Sequence, residues 1–291
     1  FVGMLETAYL IEDYDEPEDS RVREKTFHNR ALIETGVDAS TEIVGIFGMD
    51  GDTWTKTRHT VRPQIGYVYR PEVSQNKLPS FDSTDRVNSR NRITYSLINF
   101  FNARLDQAPG EVEYRDFARL EFSQFYDISQ PDGGAADPST SRDRPFSNLY
   151  TQLDLTPRRY VKVTYKNQYS PYDTDFKRHQ LLAHFFDNRG DKLIIDYQRQ
   201  LDEDGKTIVD EISTELKLNL SKGITINVRN DYDLNLKENI KSEYNIAIQR
   251  QCWGISVSYV DDPGADERRV ALGISLYGVG ELGTETYSSS E

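Results

Sequence analysis

This 291-residue chain is poor in soft and borderline metal ligands, with one cysteine, two methionines and four histidines. Cys252 has no partner within the chain, which leaves an inert thiol or a bridge to a cysteine elsewhere. His28, His59, His179 and His184 share no metal-ligand spacing, and on a strand the five-residue step from His179 to His184 puts them on opposite faces. No metal site and no cofactor are expected. The chain has no Gly-x-Ser-x-Gly elbow, no His-Glu-x-x-His pair and no phosphate-cradling glycine loop, so no catalytic residues are assigned and an enzyme is not expected. Paired carboxylates carry no information among 48 acidic residues. No run of 18 or more apolar residues provides a transmembrane helix. Continuous apolar runs of the kind doubly buried strands need are missing, as is any long apolar face of period 3.6. Basic residues are outnumbered 35 to 48, a net charge of -13, which argues against nucleic acid as a partner. With neither an initiator Met nor a signal peptide, the sequence reads as a fragment whose N-terminal part is missing.

What the chain has is alternation. Leu216, Leu218 and Leu220 alternate with Glu215, Lys217 and Asn219, and Ile224, Ile226 and Val228 with Thr225, Asn227 and Arg229. Tyr244, Ile246 and Ile248 follow, then Trp253, Ile255, Val257 and Tyr259, then Val270, Leu272, Ile274 and Leu276. Successive strand side chains point to opposite faces, so each segment has one apolar and one polar face. Only 36% of residues are hydrophobic, while Tyr (18) and Phe (13) are numerous. This suits a membrane barrel, whose lipid belt needs only every second residue apolar and whose lumen is wet.

About fifteen strands are expected, at 1–14, 21–34, 37–47, 56–70, 90–105, 113–127, 147–155, 158–169, 176–187, 191–201, 208–220, 223–234, 240–250, 252–260 and 268–279. Turn signals separate them: Asp50-Gly51, Pro109-Gly110, Asn188 to Asp191, Asp204-Gly205 and Lys222-Gly223. Asp202-Glu203-Asp204-Gly205-Lys206 lacks the ligand pattern of a calcium loop and reads as a hairpin. No connection can hold a crossover helix, so the sheet should be an antiparallel meander. If the C-terminal strand ends in the periplasm, connections 71–89, 128–146, 202–207, 235–239 and 261–267 all lie outside. The short turns at 156–157, 188–190, 221–222 and around Gln251 then lie in the periplasm. That segregation of long from short connections is a bacterial barrel's.

The stretch from Arg58-His59-Thr60 through Pro63, Tyr67 and Tyr69 to Pro71, followed by Leu78-Pro79-Ser80-Phe81-Asp82, resembles the outer-membrane lipopolysaccharide-assembly protein family (LptD/OstA). Asn91 to Leu97 follows at the expected distance. Gln251 to Tyr259 is similar to that family's cysteine-bearing strand, and Gly273 to Gly283 to its terminal strand and tail. The resemblance runs in order from about residue 56 to 283. It implies a transmembrane antiparallel up-and-down β-barrel at the bacterial outer membrane, of which residues 1–283 are the C-terminal portion and 284–291 a short polar periplasmic tail. The family's barrel has about 26 strands. Function, by resemblance, is insertion of lipopolysaccharide into the outer leaflet through a lumen and a lateral seam. The implied partners are lipopolysaccharide, a plug lipoprotein in the lumen, and a periplasmic transport bridge reached through the missing N-terminal jelly-roll domain.

The resemblance also implies a disulfide from Cys252 to the absent N-terminal part. Family members often carry two adjacent cysteines here, whereas Trp253 follows Cys252, so at most one such bridge can form. The lateral-gate strand is expected to hold Val270, Leu272, Gly273, Ile274, Leu276 and Gly278, where glycine serves a bulge or close approach as readily as a weakened gate. Lys162, Lys166, Glu215, Lys217, Asn227, Arg229 and Asp231 are expected on the lumen face, as a solvated wall or as contacts to the plug or to lipopolysaccharide phosphates. Tyr160, Tyr232, Tyr244, Trp253 and Tyr259 suit interfacial aromatic girdles. Two other classes fit the alternation: a diffusion porin or ligand-specific receptor barrel, which leaves Arg58–Pro71 and Cys252 unexplained, and a soluble or surface β-rich binding module.

Overall fold

The computed structural model of the chain describes residues 2–13, 24–51, 53–75, 87–108, 110–129, 144–202, 204–276 and 280–288. Among them the regular structure is strand apart from one 3-10 turn, Pro263–Ala265. The strands are β1 (Val2–Asp13), β2 (Glu24–Ser40), β3 (Ile43–Gly48), β4 (Trp54–Arg70), β5 (Arg90–Ala108), β6 (Glu111–Asp127), β7 (Leu149–Arg158) and β8 (Val161–Ser170). They continue with β9 (Asp175–Phe186), β10 (Lys192–Leu201), β11 (Thr207–Ser221), β12 (Ile224–Asp233), β13 (Glu238–Gln249), β14 (Trp253–Asp262), β15 (Glu267–Leu276) and β16 (Gly280–Ser288). Neighbours in sequence are neighbours in the sheet, except that β2 pairs directly with β4 and β3 pairs β4 off the main path.

The up-and-down antiparallel sheet expected from the sequence is present. Turn glycines act as their chemistry requires, Gly110, Gly190, Gly205 and Gly223 all having φ between 83° and 85°. At Gly223 the requirement is absolute, because a Cβ there would lie 1.9 Å from the Gln249 carbonyl oxygen. Asp202 to Lys206 closes a hairpin, with the Asp202 amide donating to the Lys206 backbone oxygen at 2.9 Å and the Lys206 amide donating to the Asp202 carboxylate at 2.8 Å.

Three boundaries differ. Residues 35–40 extend β2 rather than opening a third strand, because Thr35 to Ser40 pair with Tyr69 to Gln64. β7 continues through Pro157 to Arg158, with the register slipping between Leu155 and Arg158 where the proline has no amide to donate. The expected last strand at 268–279 is followed by β16, which pairs with β15 from Arg268↔Ser288 to Leu276↔Gly280. Residues 284–288 are therefore strand and not tail. Their Thr-Glu-Thr-Tyr composition reads as polar, but the ladder to β15 satisfies its backbone.

The chain divides into two compact units. The first comprises Phe1–Ile43, Arg62–Leu97 and Ser123–Asn148. In it Arg30 and Leu32 are buried, Arg70 and Arg90 both pair with Glu34, and the Arg30 guanidinium donates to Gln75 at 2.7 Å. The second comprises Val44–Val61, Ile98–Phe122 and Leu149–Glu291, and carries β7 to β15 whole.

Within the second unit the strand registers align the apolar residues into rows. One row runs Val161, Phe185, Leu193, Leu216, Val228, Tyr244, Tyr259, Val270. Beside it runs Leu218, Ile226, Ile246, Val257, Leu272, and beyond that Ile224, Ile248, Ile255, Ile274. From Tyr259 to Trp253 the band spans roughly 20 Å at about 3.4 Å per residue, close to the height of a lipid belt. On the side of Tyr244 and Tyr259 away from Trp253, the same face turns polar at Thr214, Asn230, Ser242 and Asp261.

Exposure along β13, β14 and β15 is the inverse of a soluble protein's, with Tyr244, Ile246, Ile255, Val257 and Tyr259 among the exposed residues. On β15 Val270, Leu272, Ile274 and Leu276 are the exposed positions and the residues between them are less so. The buried apolar residues among those described are Leu32, Ile98, Ala103, Leu105 and Val260. Among the described residues this is a small core for so many strands, and the apolar side chains of β13 to β15 apart from Val260 lie outside it.

Candidate functional site: the polar face and its cleft

The opposite face of the second unit carries the charge. Its rows run Lys162, His184, Ile194, Glu215, Arg229, Glu243, and Lys192, Lys217, Asn227, Asn245. Asp231 stands between Ser213 and Lys241 on the same face. All seven residues expected to face a lumen therefore share one face, opposite Leu216, Ile226 and Ile246. Three of the cations are neutralised in place: Lys192 Nζ lies 2.5 Å from Glu215, Lys241 Nζ 2.7 Å from Glu243, and Arg229 Nε 3.1 Å from Asp231. With side chains this open to water, each such pair contributes about 0–1 kcal/mol.

At one end of the face, β7, β8 and β9 form a cleft of about 190 Å³ lined by Tyr150, Lys166, Asn167, Gln168, Arg178 and Gln180. Next to it a polar ladder uses up the acids. Asp154 accepts from Thr164 and Gln152 at 2.8 Å and from Arg119 at 3.3 Å. Arg119 also binds Glu121, and Asp196 accepts from Gln180 at 3.2 Å. Lys166 and Arg178 are left without an ion pair among the described residues.

The histidines have structural partners. His59 stacks on Phe101 with centroids 4.3 Å apart and lies 3.0 Å from the Asn99 oxygen. His179 Nδ1 is 2.7 Å from the Tyr165 hydroxyl, on the face opposite His184. The His28 side chain lies outside those described.

A sheet with an uncovered apolar face and a charged reverse narrows the possibilities to a membrane barrel, and comparison with known families decides among them. The family described as LPS transport system D (LptD) matches residues 1–208. The chain belongs to the LptD family. No curated protein matches it individually. LptD proteins are outer-membrane β-barrels of lipopolysaccharide transport and assembly, a transport family and not a family of enzymes.

In this LptD chain Cys252 is exposed and forms no disulfide within the chain, at the turn between β13 and β14. β15, read from sequence as the terminal strand, is paired on both sides, and β16 forms one edge of the sheet, β1 the other. Its Val270, Leu272, Ile274 and Leu276 lie on the apolar face as expected. Gly273 stands on the polar face, where a Cβ would come 2.6 Å from Ser256 Oγ, and Gly254 is related to Ser275 in the same way. These glycines give room to a serine across the ladder, so the close-approach role applies to Gly273. Gly278 lies outside the described residues. Tyr244 and Tyr259 stack at 6.1 Å at the polar margin of the apolar band, the position of an aromatic girdle.

Lys166 was legible as a polar-face residue. Tyr150, Gln168, Arg178 and Gln180 were not singled out, though parity alone puts Gln168 with Lys166 and Arg178 with Gln180. Their convergence depends on the cross-strand registers Tyr150↔Gln168 and Gln168↔Arg178.

Proposed function

We propose that this chain is the C-terminal part of a translocon that inserts lipopolysaccharide into the outer leaflet of the outer membrane. Its apolar face meets lipid. Its polar face, with Lys162, Lys166, Glu215, Lys217, Asn227, Arg229 and Asp231, borders a watery lumen that carries the saccharide. The observation that carries this reading is the inverted exposure of β13 to β15, joined to membership of the LptD family. A water-filled interior tolerates the charged rows at little cost, while the apolar rows need lipid.

The connections support one orientation. Those after β4, β6, β10, β12 and β14 lie at one end of the strands and include the longest, while those after β5, β7, β11 and β13 are short turns at the other. On length the first set belongs outside and the second in the periplasm, so that β15, and not the added strand β16, ends on the periplasmic side. Cys252 is then periplasmic, where an exposed thiol can bridge to a cysteine elsewhere in the full-length protein. A plug lipoprotein occupies the lumen, and a periplasmic bridge delivers lipopolysaccharide through an N-terminal domain. The acyl chains leave at the β16 edge of the sheet.

Depleting the full-length protein in its own bacterium and following pulse-labelled lipopolysaccharide tests the reading. Arrival in the outer leaflet should stop while small-solute uptake is unchanged. Normal arrival with impaired uptake would make the protein a porin.

A further inference from the structure

Elsewhere on the polar face Lys192, Arg229 and Lys241 sit beside carboxylates, whereas in the cleft on β7, β8 and β9 two cations converge and neither is so paired among the described residues. Lys166 and Arg178 are diagonal neighbours on adjacent strands, since Lys166 pairs with Gln180 and Arg178 with Gln168. The nearby acids, Glu121, Asp154 and Asp196, are held by Arg119, Thr164, Gln152 and Gln180. Two positive charges are thus left facing a concavity in a chain whose net charge is -13. Around them on the same face stand two amide side chains and a phenol ring, Gln168, Gln180 and Tyr150, while Asn167 between Lys166 and Gln168 turns its side chain to the opposite face.

Each part of that lining selects a chemistry. Unpaired Lys and Arg attract phosphate or carboxylate oxygens, Arg through its fork of N–H donors. Amides both donate and accept, matching sugar hydroxyls, and an aromatic ring covers the apolar face of a pyranose. The volume of about 190 Å³ equals that of about six liquid waters, at about 30 Å³ each. That admits one sugar ring with its anionic substituent and excludes a folded partner.

We propose that this cleft binds a phosphorylated or carboxylated monosaccharide unit of the lipopolysaccharide in transit. The proposal rests on the transport reading above, and makes Lys166 and Arg178 the anion-binding pair, Gln168 and Gln180 the hydroxyl partners. An acidic segment of a plug protein would satisfy the cations but make no use of the Gln168 amide or of the face of the Tyr150 ring.

The test places a photocrosslinking amino acid at Gln168 of the full-length protein in cells, and a second at Asn227, on the same face but away from the cleft. The lipopolysaccharide adduct at 168 should fall at least about tenfold in a Lys166→Gln/Arg178→Gln double variant, the scale of losing a charge-assisted contact. The adduct at 227 should persist, which shows that the barrel is folded and traversed. In proteoliposomes, lipopolysaccharide stripped of phosphate with hydrogen fluoride should lose the 168 adduct equally if the anion is phosphate, and keep it if the anion is a uronate-type carboxylate. An adduct at 168 indifferent to both the charge removal and the stripping would overturn the proposal, as would an adduct to protein instead of lipopolysaccharide. Absence of any 168 adduct while the protein still delivers lipopolysaccharide would refute the cleft and leave the transport reading standing. Failure of delivery by the wild-type protein would remove both.

Discussion

An arginine introduced at Ile226 should do far more damage than one introduced at the next residue, Asn227. Ile226 occupies the middle row of the apolar band, flanked by Leu218 on β11 and Ile246 on β13, and Ile246 is half exposed. In a lipid belt a guanidinium there costs about 2–4 kcal/mol, falling to about 0–1 kcal/mol near the interfaces. Asn227 points the other way, between Lys217 and Asn245, and its amide donates to Asn245 at 3.4 Å. Its replacement loses one long hydrogen bond, about 0.5–1.5 kcal/mol at most, and adds a hydrated cation beside Lys217. The difference is on the order of 2 kcal/mol, or about thirtyfold in the folding equilibrium. Urea titration of the full-length barrel in lipid vesicles, read by heat-modifiable gel mobility, measures it. Equal destabilisation by the two variants, or a greater effect of Asn227→Arg, would refute the assignment of faces.

Gly223→Ala should destabilise the barrel more than Gly205→Ala. Both glycines have a left-handed φ, costing about 1–2 kcal/mol for alanine, but only at Gly223 does the added methyl meet a carbonyl, Gln249's, at 1.9 Å; the same titration compares them. At the Asp187 to Asp191 turn the Arg189 side chain holds the Asp187 carboxyl below its ordinary range and is itself raised by that bond. The Asp187 contribution is therefore present above the unfolded value of about 3.9 and lost as pH falls through the lower folded value. Amide exchange at Arg189 and Asp191, which donate to Asp187 at 2.8 and 3.0 Å, should accelerate over that acid window and not in Asp187→Asn, where it should be fast throughout. If Cys252 is bridged, unreduced full-length protein should resist maleimide and change gel mobility on reduction; complete labelling without reductant would exclude the bridge.

Most of the strand pattern was legible because a two-residue period needs no tertiary information. Leu216 and Glu215 declare their faces by chemistry, and Gly205 and Gly223 declare their turns by the backbone they permit. Legibility failed where pairing partners decide. Nothing local distinguishes residues 35–40 as part of β2, since only Tyr69 to Gln64 across the ladder extends it. β16 lacks an apolar alternation strong enough to announce it, and exists as strand through β15. The cleft was invisible for the same reason: Lys166 and Arg178 are twelve positions apart, and the register that joins them is a property of the hairpin.

The inversion of faces is measured most directly with spin labels on adjacent residues of β13 in a Cys252→Ser background of the full-length protein in liposomes. A label at Ile246 should relax fast with dissolved oxygen and resist a water-soluble nickel chelate, while a label at Asn245 should show the opposite. Nickel access at both positions, or at Ile246 alone, would contradict a barrel with its apolar face in lipid.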